Sequence, residues 1–254
     1  MDKNIISGNF SRSAASYDDH ASVQGKCAEK LISLIRGRDF TNILEVGCGT
    51  GMYTTLLRDE YSKAEITAVD ISGDMVRVAR EKFPGDDIRF EIADGETIKF
   101  DRKFDLITSN ASIQWFEDLD MTLRLFRDSL AGSGVLCFSM YGPETFQELK
   151  AVLGFFFGAR RWLSSSRFVL CNEVENIVRK YFRRSEIAEE RFNADFVSIW
   201  DLLKDIKHSG TRGEGLGDDI FLGKYTVLEM ERKYIEKFGR ITATHHVYFC
   251  RAET

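Results

Sequence analysis

Ile43-Leu44-Glu45-Val46-Gly47-Cys48-Gly49-Thr50-Gly51 is an apolar run that ends in three glycines at alternate positions, and a helical pattern from Met52 to Tyr61 follows at once. That order describes a buried parallel strand turning sharply into a helix whose N-terminus faces a ligand. The glycines let the backbone turn tightly and let a ligand approach where a Cβ would intrude. Nineteen residues after Gly51, the run Ile66-Thr67-Ala68-Val69 ends in Asp70. A carboxylate at the carboxyl end of the neighbouring strand can accept hydrogen bonds from ribose hydroxyls. Together these motifs predict a nucleoside-cofactor site.

The cofactor class follows from spacing and charge. A nicotinamide site would prefer G-x-G-x-x-G, where the helix dipole meets a pyrophosphate. Here the spacing is G-x-G-x-G, and Glu45 precedes it, so a pyrophosphate would be repelled and a positively charged cofactor favoured. The stretch Leu44 to Gly51 closely resembles the first motif of class I S-adenosylmethionine-dependent methyltransferases, with Val69-Asp70-Ile71-Ser72 as the second. The resemblance implies S-adenosylmethionine, held by Glu45, Gly47, Cys48, Gly49, Gly51, Asp70, Ile71 and Met75. An NAD-dependent oxidoreductase is the disfavoured alternative.

Working outward, a helix is expected from about Val23 to Ile35, with Cys27, Ala28, Leu31, Ile32 and Ile35 at helical spacing. Ahead of it, residues 8 to 22 are small and polar, with Phe10 and Tyr17 as the aromatics, and read as a tail or as a lid over a pocket. Beyond Asp70, Ser72 to Phe83 is helical until Pro84-Gly85 stops it. Ile88 to Ile92 is a third strand that leads to Asp94 and Gly95, and Phe104 to Ser109 is a fourth. Leu119 to Leu130 is a helix and Gly134 to Ser139 a fifth strand. Strands alternating with helices over residues 41 to 139 form a parallel sheet covered on both faces, with ligands beyond the carboxyl ends of its strands. Asp94 lies over that crevice or serves only as a turn residue before Gly95.

From about residue 143 the rhythm changes. Residues 150 to 184 carry eight basic side chains against Glu173 and Glu175, a local charge of +6 in a chain of −5. They form either a solvated helical face or a basic cap that meets an anionic partner. Ser185 to Phe192 is a candidate sixth strand, Phe196 to Lys207 a helix, Thr211 to Gly217 a mobile loop, Lys224 to Phe238 a helix and Ile241 to Cys250 a last strand.

The composition is that of a globular protein, 43% hydrophobic and 30% charged over 254 residues. No apolar run is long enough to span a membrane, and Met1-Asp2-Lys3-Asn4 leads into no signal peptide. Five scattered cysteines, never C-x-x-C, point to reduced cytosolic thiols rather than disulfides or zinc. His20, His208, His245 and His246 lack metal-ligand spacing, so no metal is expected. The negative charge gives no support to nucleic-acid binding. A cytoplasmic monomer is expected.

Three further stretches are more selective. Phe10-Ser11-Arg12-Ser13-Ala14-Ala15-Ser16-Tyr17-Asp18, with Ala21 and Gln24, resembles the opening of the malonyl-acyl-carrier-protein O-methyltransferases of biotin synthesis. Ser109-Asn110-Ala111-Ser112-Ile113-Gln114-Trp115 is similar to their S-N-x-x-x-Q-W, and Gly142 to Leu149 to their segment after the fifth strand. Ser166-Arg167-Phe168 and Leu203 to Lys207 match more loosely, whereas His208-Ser209-Gly210-Thr211 and the run Gly154 to Trp162 depart from the pattern.

The resemblance implies one doubly wound, mostly parallel seven-stranded α/β domain over residues 1–254, Rossmann-like, with a small helical cap. Residues 1–22 would be the lid and about 143–184 the basic cap insertion. The nucleophile would be the free carboxylate of a malonyl thioester, on acyl-carrier protein or coenzyme A. A carboxylic acid titrates near about 4, so no general base is required, and alignment of the reactants alone is worth roughly 7–11 kcal/mol. Tyr17 would lie over the cofactor, Gln114 and Trp115 would line the reaction cavity, and Asp94, Gly95 and Asn110 would complete the cofactor site. Arg167, Lys207 and Tyr141 would bind substrate, and Arg160, Arg161, Arg183 and Arg184 would dock the carrier protein. A methyltransferase acting on a free, aconitate-like acid and a non-catalytic S-adenosylmethionine-binding subunit are the alternatives.

Overall fold

The strands are β1 (Asn42–Val46), β2 (Glu65–Asp70), β3 (Arg89–Ile92), β4 (Phe104–Ser109), β5 (Leu130–Tyr141), β6 (Arg184–Phe196) and β7 (Ile241–Glu253). The computed structural model describes residues 2–85, 87–158, 163–209 and 223–254. Among these, one sheet runs in the order β3-β2-β1-β4-β5-β7-β6. Strands β1 to β5 pair in parallel, and β7 inserts antiparallel between β5 and β6. The helices are α1 (Lys3–Ser13), α2 (Ser22–Ile35), α3 (Met52–Glu60), α4 (Gly73–Lys82), α5 (Leu119–Ser129), α6 (Gln147–Phe157), α7 (Cys171–Tyr181), α8 (Ile199–His208) and α9 (Lys224–Phe238).

The central strands are apolar on both sides because both sides are covered. Leu31 and Ile35 of α2, Leu57 of α3 and Val76 of α4 pack on the face carrying Ile43, Ile66 and Leu106. Leu123 and Phe126 of α5 and Val178 of α7 pack on the face carrying Leu44, Ile107 and Phe138. Strand β1 lies between β2 and β4, so the chain leaves it in opposite directions, and a crevice opens beyond its carboxyl end. The doubly wound seven-stranded architecture is as expected.

One expected boundary is corrected, and one expected segment takes a more definite form. Residues 143–184 are not one cap. Helix α7 belongs to the sheet, because Val174 and Val178, one helical turn apart, bury against α5 and Phe138. The third core instead joins α6 with α8 and α9, through Leu153, Leu202, Ile206 and Tyr234, around Ile241 and Ala243 of β7. The N-terminal segment, in turn, opens with a regular helix. Asp2 caps α1 by accepting from the Asn4 amide at 2.8 Å. Its polar composition hides it, since Ile6 is the one apolar side chain of α1 that is fully buried. The expected loop Thr211 to Gly217, together with Arg160 and Arg161, lies outside the described residues. Among the described residues, no helix is long and apolar enough to cross a membrane.

Candidate active site

The turn after β1 is held by its neighbour. The amides of Gly47 and Cys48 both donate to the Val69 carbonyl, at 2.8 and 3.0 Å. Gly47 has a φ of +74°, and a Cβ there would lie 2.1 Å from Ser112 Oγ, so only glycine fits between the two strand ends. Asp70 closes the turn from the tip of β2. Its Oδ2 accepts from the Gly49 amide at 2.9 Å and its Oδ1 from the Ser72 amide at 2.8 Å. Burial raises the Asp70 pKa, and these amide bonds pull it partly back.

A cleft partly open to solvent lies against this turn. Gly47, Gly49, Asp70 and Ile71 form one wall, and Met75, Asp94 and Gly95 a second. Tyr17, Asn110 and Trp115 face them. Asn110 is fixed on both ends, donating to the Gln24 carbonyl at 3.0 Å and accepting from Ser139 Oγ at 2.8 Å.

Helix α1 and the turn after it lie across the cleft and are tied to three strand ends. Lys3 Nζ is 2.6 Å from both Asp94 Oδ2 and Glu96 Oε2. Burial pulls the Lys3 pKa down, but the bonds to the two carboxylates outweigh it and the net shift is upward. Ser7 Oγ donates to the Ile71 carbonyl at 3.4 Å, and Ser11 and Ser72 hydroxyls meet at 2.9 Å. Asp18 accepts from Thr50 Oγ1 at 2.5 Å and pairs with Lys82 at 2.5 Å. His20 secures the outer end, 3.0 Å from Asp205 Oδ1 and stacked on His208 at 4.9 Å. Under this cover, burial raises the Tyr17 pKa and the nearby Asp70 charge adds to it, while Gln24 opposes through a hydrogen bond. The hydroxyl therefore stays protonated at neutral pH and available as a donor.

Trp115 divides the cleft from a second, smaller pocket. Its ring meets Phe10 edge-on at 6.0 Å and Phe168 at 5.5 Å. Beyond it lie Tyr141, Thr145, Phe146, Ser165 and His245.

A methyltransferase-domain family model matches residues 43–134. Across 98% of this chain and 93% of its own length, a malonyl-[acyl-carrier protein] O-methyltransferase of Acetivibrio thermocellus is 33% identical. One from Bacillus anthracis is 39% identical over 98% and 96%. The chain belongs to this family. Among solved structures, the YcgJ protein of Bacillus subtilis shares the fold at a TM-score of 0.63 and 15% identity, covering 90% of this chain and 98% of its own.

The protein is thus an S-adenosylmethionine-dependent methyltransferase, and the geometry sorts its expected site residues. Gly47, Gly49, Asp70, Ile71, Met75, Asp94, Gly95, Asn110, Tyr17 and Trp115 meet on one cleft. Glu45 does not line it. Its Oε2 accepts from Thr54 at 2.6 Å, and its Oε1 is buried without a partner among the described residues. Cys48 and Gly51 are structural parts of the turn, Gly51 opening α3 at a φ of +82°. Gln114 lines neither pocket of the methyltransferase. It braces the backbone, donating to the Ala111 carbonyl at 2.6 Å and accepting from the Tyr141 amide at 3.3 Å.

The substrate-side expectations move further. Arg167 is exposed and lines neither pocket, although its neighbours Ser165 and Phe168 line the second. Lys207 is likewise exposed and lines neither pocket, and its carbonyl accepts from Ser13 Oγ at 3.3 Å. Arg183 and Arg184 are at the wrong end of the sheet. Strand β6 runs parallel to β5, so Arg184 pairs with Glu253 level with Val135, whereas the cleft lies level with Tyr141. Six strand positions put it roughly 20 Å away.

Lys3, Phe10, Glu96, Ser112 and His245 were not expected at the methyltransferase's site. Phe10 and Ser112 lie within quoted motifs that did not single them out, whereas Lys3, Glu96 and His245 lie outside every motif and come into place by long-range packing.

Proposed function

We propose that this enzyme methylates the free carboxylate of a malonyl thioester carried on acyl-carrier protein, a step of biotin synthesis. The observation that carries the proposal is the near full-length likeness to malonyl-carrier-protein methyltransferases, together with a lidded cleft that shares Trp115 with a second pocket.

The donor site fits. Asp70, at the end of β2, is placed to accept from ribose hydroxyls, and still has acceptor capacity beside its two amide bonds. Asp94 and Gly95 would border the adenine, with Lys3 sharing the Asp94 carboxylate. Gly47, Gly49 and Asn110 would border the amino-acid end. When bound, S-adenosylmethionine supplies an electrophilic methyl group on a positively charged sulfonium.

The acceptor is ionised at neutral pH, since carboxylic acids titrate near about 4. The chain's task is therefore to hold reactants in line and keep water out. Alignment is worth roughly 7–11 kcal/mol. Helix α1, Tyr17 and the edge-on cluster of Phe10, Trp115 and Phe168 exclude water, and Tyr17 offers a hydroxyl donor over the cleft. Docking of an acidic carrier suits the exposed face of α8 beside the lid, where Lys204 and Lys207 stand one helical turn apart.

Labelled S-adenosylmethionine, offered with malonyl-carrier protein and free small diacids side by side, tests the proposal. Label on the carrier protein alone supports it. Label on a free acid alone would keep fold and donor but replace the substrate.

A further inference from the structure

We infer that the pocket behind Trp115 anchors the carboxylate of the acceptor, with Tyr141 and His245 as its positioning residues. The inference rests on the malonyl-thioester proposal and adds the place and the groups that hold its reacting end.

Trp115 borders both the cleft and this pocket, so a group held there lies next to the donor site. Some of the pocket's polar groups are already in use. Thr145 Oγ1 donates to the His246 carbonyl at 3.1 Å, and Ser165 Oγ donates to the Thr145 carbonyl at 2.7 Å. Others are not. Tyr141 Oη and Trp115 Nε1 are buried without a hydrogen-bond partner among the described residues. Tyr141 is 2% exposed and Trp115 6%. His245 meets Tyr141 at 5.9 Å and Phe146 at 5.0 Å, and it also borders a separate pocket with His20 and Asp205.

Buried polar groups are almost always paired in folded proteins. Two unpaired donors and an imidazole thus belong to residues that line one pocket, and an acceptor from outside the chain would pair them. A carboxylate meets that need, because it accepts through both oxygens. One oxygen can then be held while the other faces the cleft.

The charge state of these groups suits a nucleophile. Burial pushes the His245 pKa down to about 4, so the ring is neutral at working pH and its N–H donates without a full positive charge. Burial likewise keeps the Tyr141 hydroxyl protonated. Neutral donors orient a carboxylate and leave its lone pairs reactive, whereas a buried cation would bind it more tightly and blunt attack.

The scaffold is rigid. Tyr141 at the end of β5 pairs with Val247 of β7, and His245 lies two residues along β7, on the same face as Val247. Neighbouring strands thus set both groups, which holds geometry better than loops do.

The test compares wild-type enzyme with Tyr141→Phe, His245→Phe and His245→Gln, using malonyl-carrier protein as substrate and acetyl-carrier protein, which lacks the carboxylate, as competitor. Tyr141→Phe and His245→Phe should raise KM for the malonyl substrate about tenfold or more, as expected for lost bonds to a charged group. S-adenosylmethionine affinity and inhibition by acetyl-carrier protein should stay unchanged. His245→Gln, which keeps a neutral donor, should recover most of the loss even if Tyr141→Phe fails to fold. An unchanged malonyl KM overturns the inference, and so does a parallel loss of donor affinity and acetyl inhibition, which marks a structural role. Failure of the wild-type enzyme to methylate malonyl-carrier protein while binding S-adenosylmethionine overturns the substrate proposal itself.

Discussion

Gly47→Ala places a methyl group where the structure has no room. The added Cβ would lie 2.1 Å from Ser112 Oγ and 2.4 Å from Ser112 Cβ, at a backbone φ of +74°. The left-handed conformation costs a non-glycine residue about 1–2 kcal/mol. Overpacking against Ser112 adds about 1–3 kcal/mol. Gly47→Ala should therefore lose about 2–5 kcal/mol of stability in urea unfolding, out of the ~5–15 kcal/mol typical of a domain. The two costs separate in a double-mutant cycle. Ser112→Gly removes the steric partner and leaves the backbone strain, so the double variant should recover about 1–3 kcal/mol relative to additivity. Both residues line the cleft, so Gly47→Ala should also weaken S-adenosylmethionine binding by calorimetry. A Gly47→Ala protein within about 0.5 kcal/mol of wild type would refute the packing account of the turn.

Three other perturbations have defined outcomes. Asp70→Ala should weaken S-adenosylmethionine binding by about 1–3 kcal/mol, the cost of losing a charged hydrogen-bond partner; unchanged calorimetric affinity would remove Asp70 from the site. Burial raises the Glu45 pKa from 4.5 to about 8, against the Thr54 bond and with help from the Asp70 charge. The folded chain then binds that proton more tightly than the unfolded chain, so this contribution is full below about 4.5 and lost as pH rises through about 8. Unfolding measured across that window should show a downward slope in wild type that Glu45→Gln lacks, and parallel curves would contradict it. Charge reversal of Lys204 and Lys207 should raise KM for malonyl-carrier protein without affecting small thioesters, whereas reversal of Arg183 and Arg184 should change neither; the opposite pattern would return docking to the far end of the sheet.

Much of the fold was legible because its signals are local. Strands β1, β2, β4 and β5 were readable as apolar runs, α9 matched its expected bounds, and the glycine turn and Asp70 marked the cleft directly. Three features were not legible, for different reasons. Helix α1 hid in a polar segment because it is held by Lys3, Ser7 and Ser11 reaching other strand ends, and no periodicity reports such bonds. The cap was misplaced because its core is shared among α6, α8 and α9, which are far apart in the chain. Arg183 and Arg184 looked like docking residues in a basic stretch, but the direction of β6 carries them away from the cleft. Gln114 shows a further limit. Its motif marked the right turn, yet the side chain braces the Ala111 carbonyl and Tyr141 amide while the adjacent Trp115 borders both pockets.

The most direct measurement of the central claim is the intact mass of malonyl-carrier protein before and after incubation with the enzyme and S-adenosylmethionine, with acetyl-carrier protein treated in parallel. The account predicts a gain of one methyl group on the malonyl carrier alone, lost together with the acyl group when the thioester is cleaved. An unchanged mass with S-adenosylmethionine bound, or a methyl group that stays on the carrier after thioester cleavage, would contradict it.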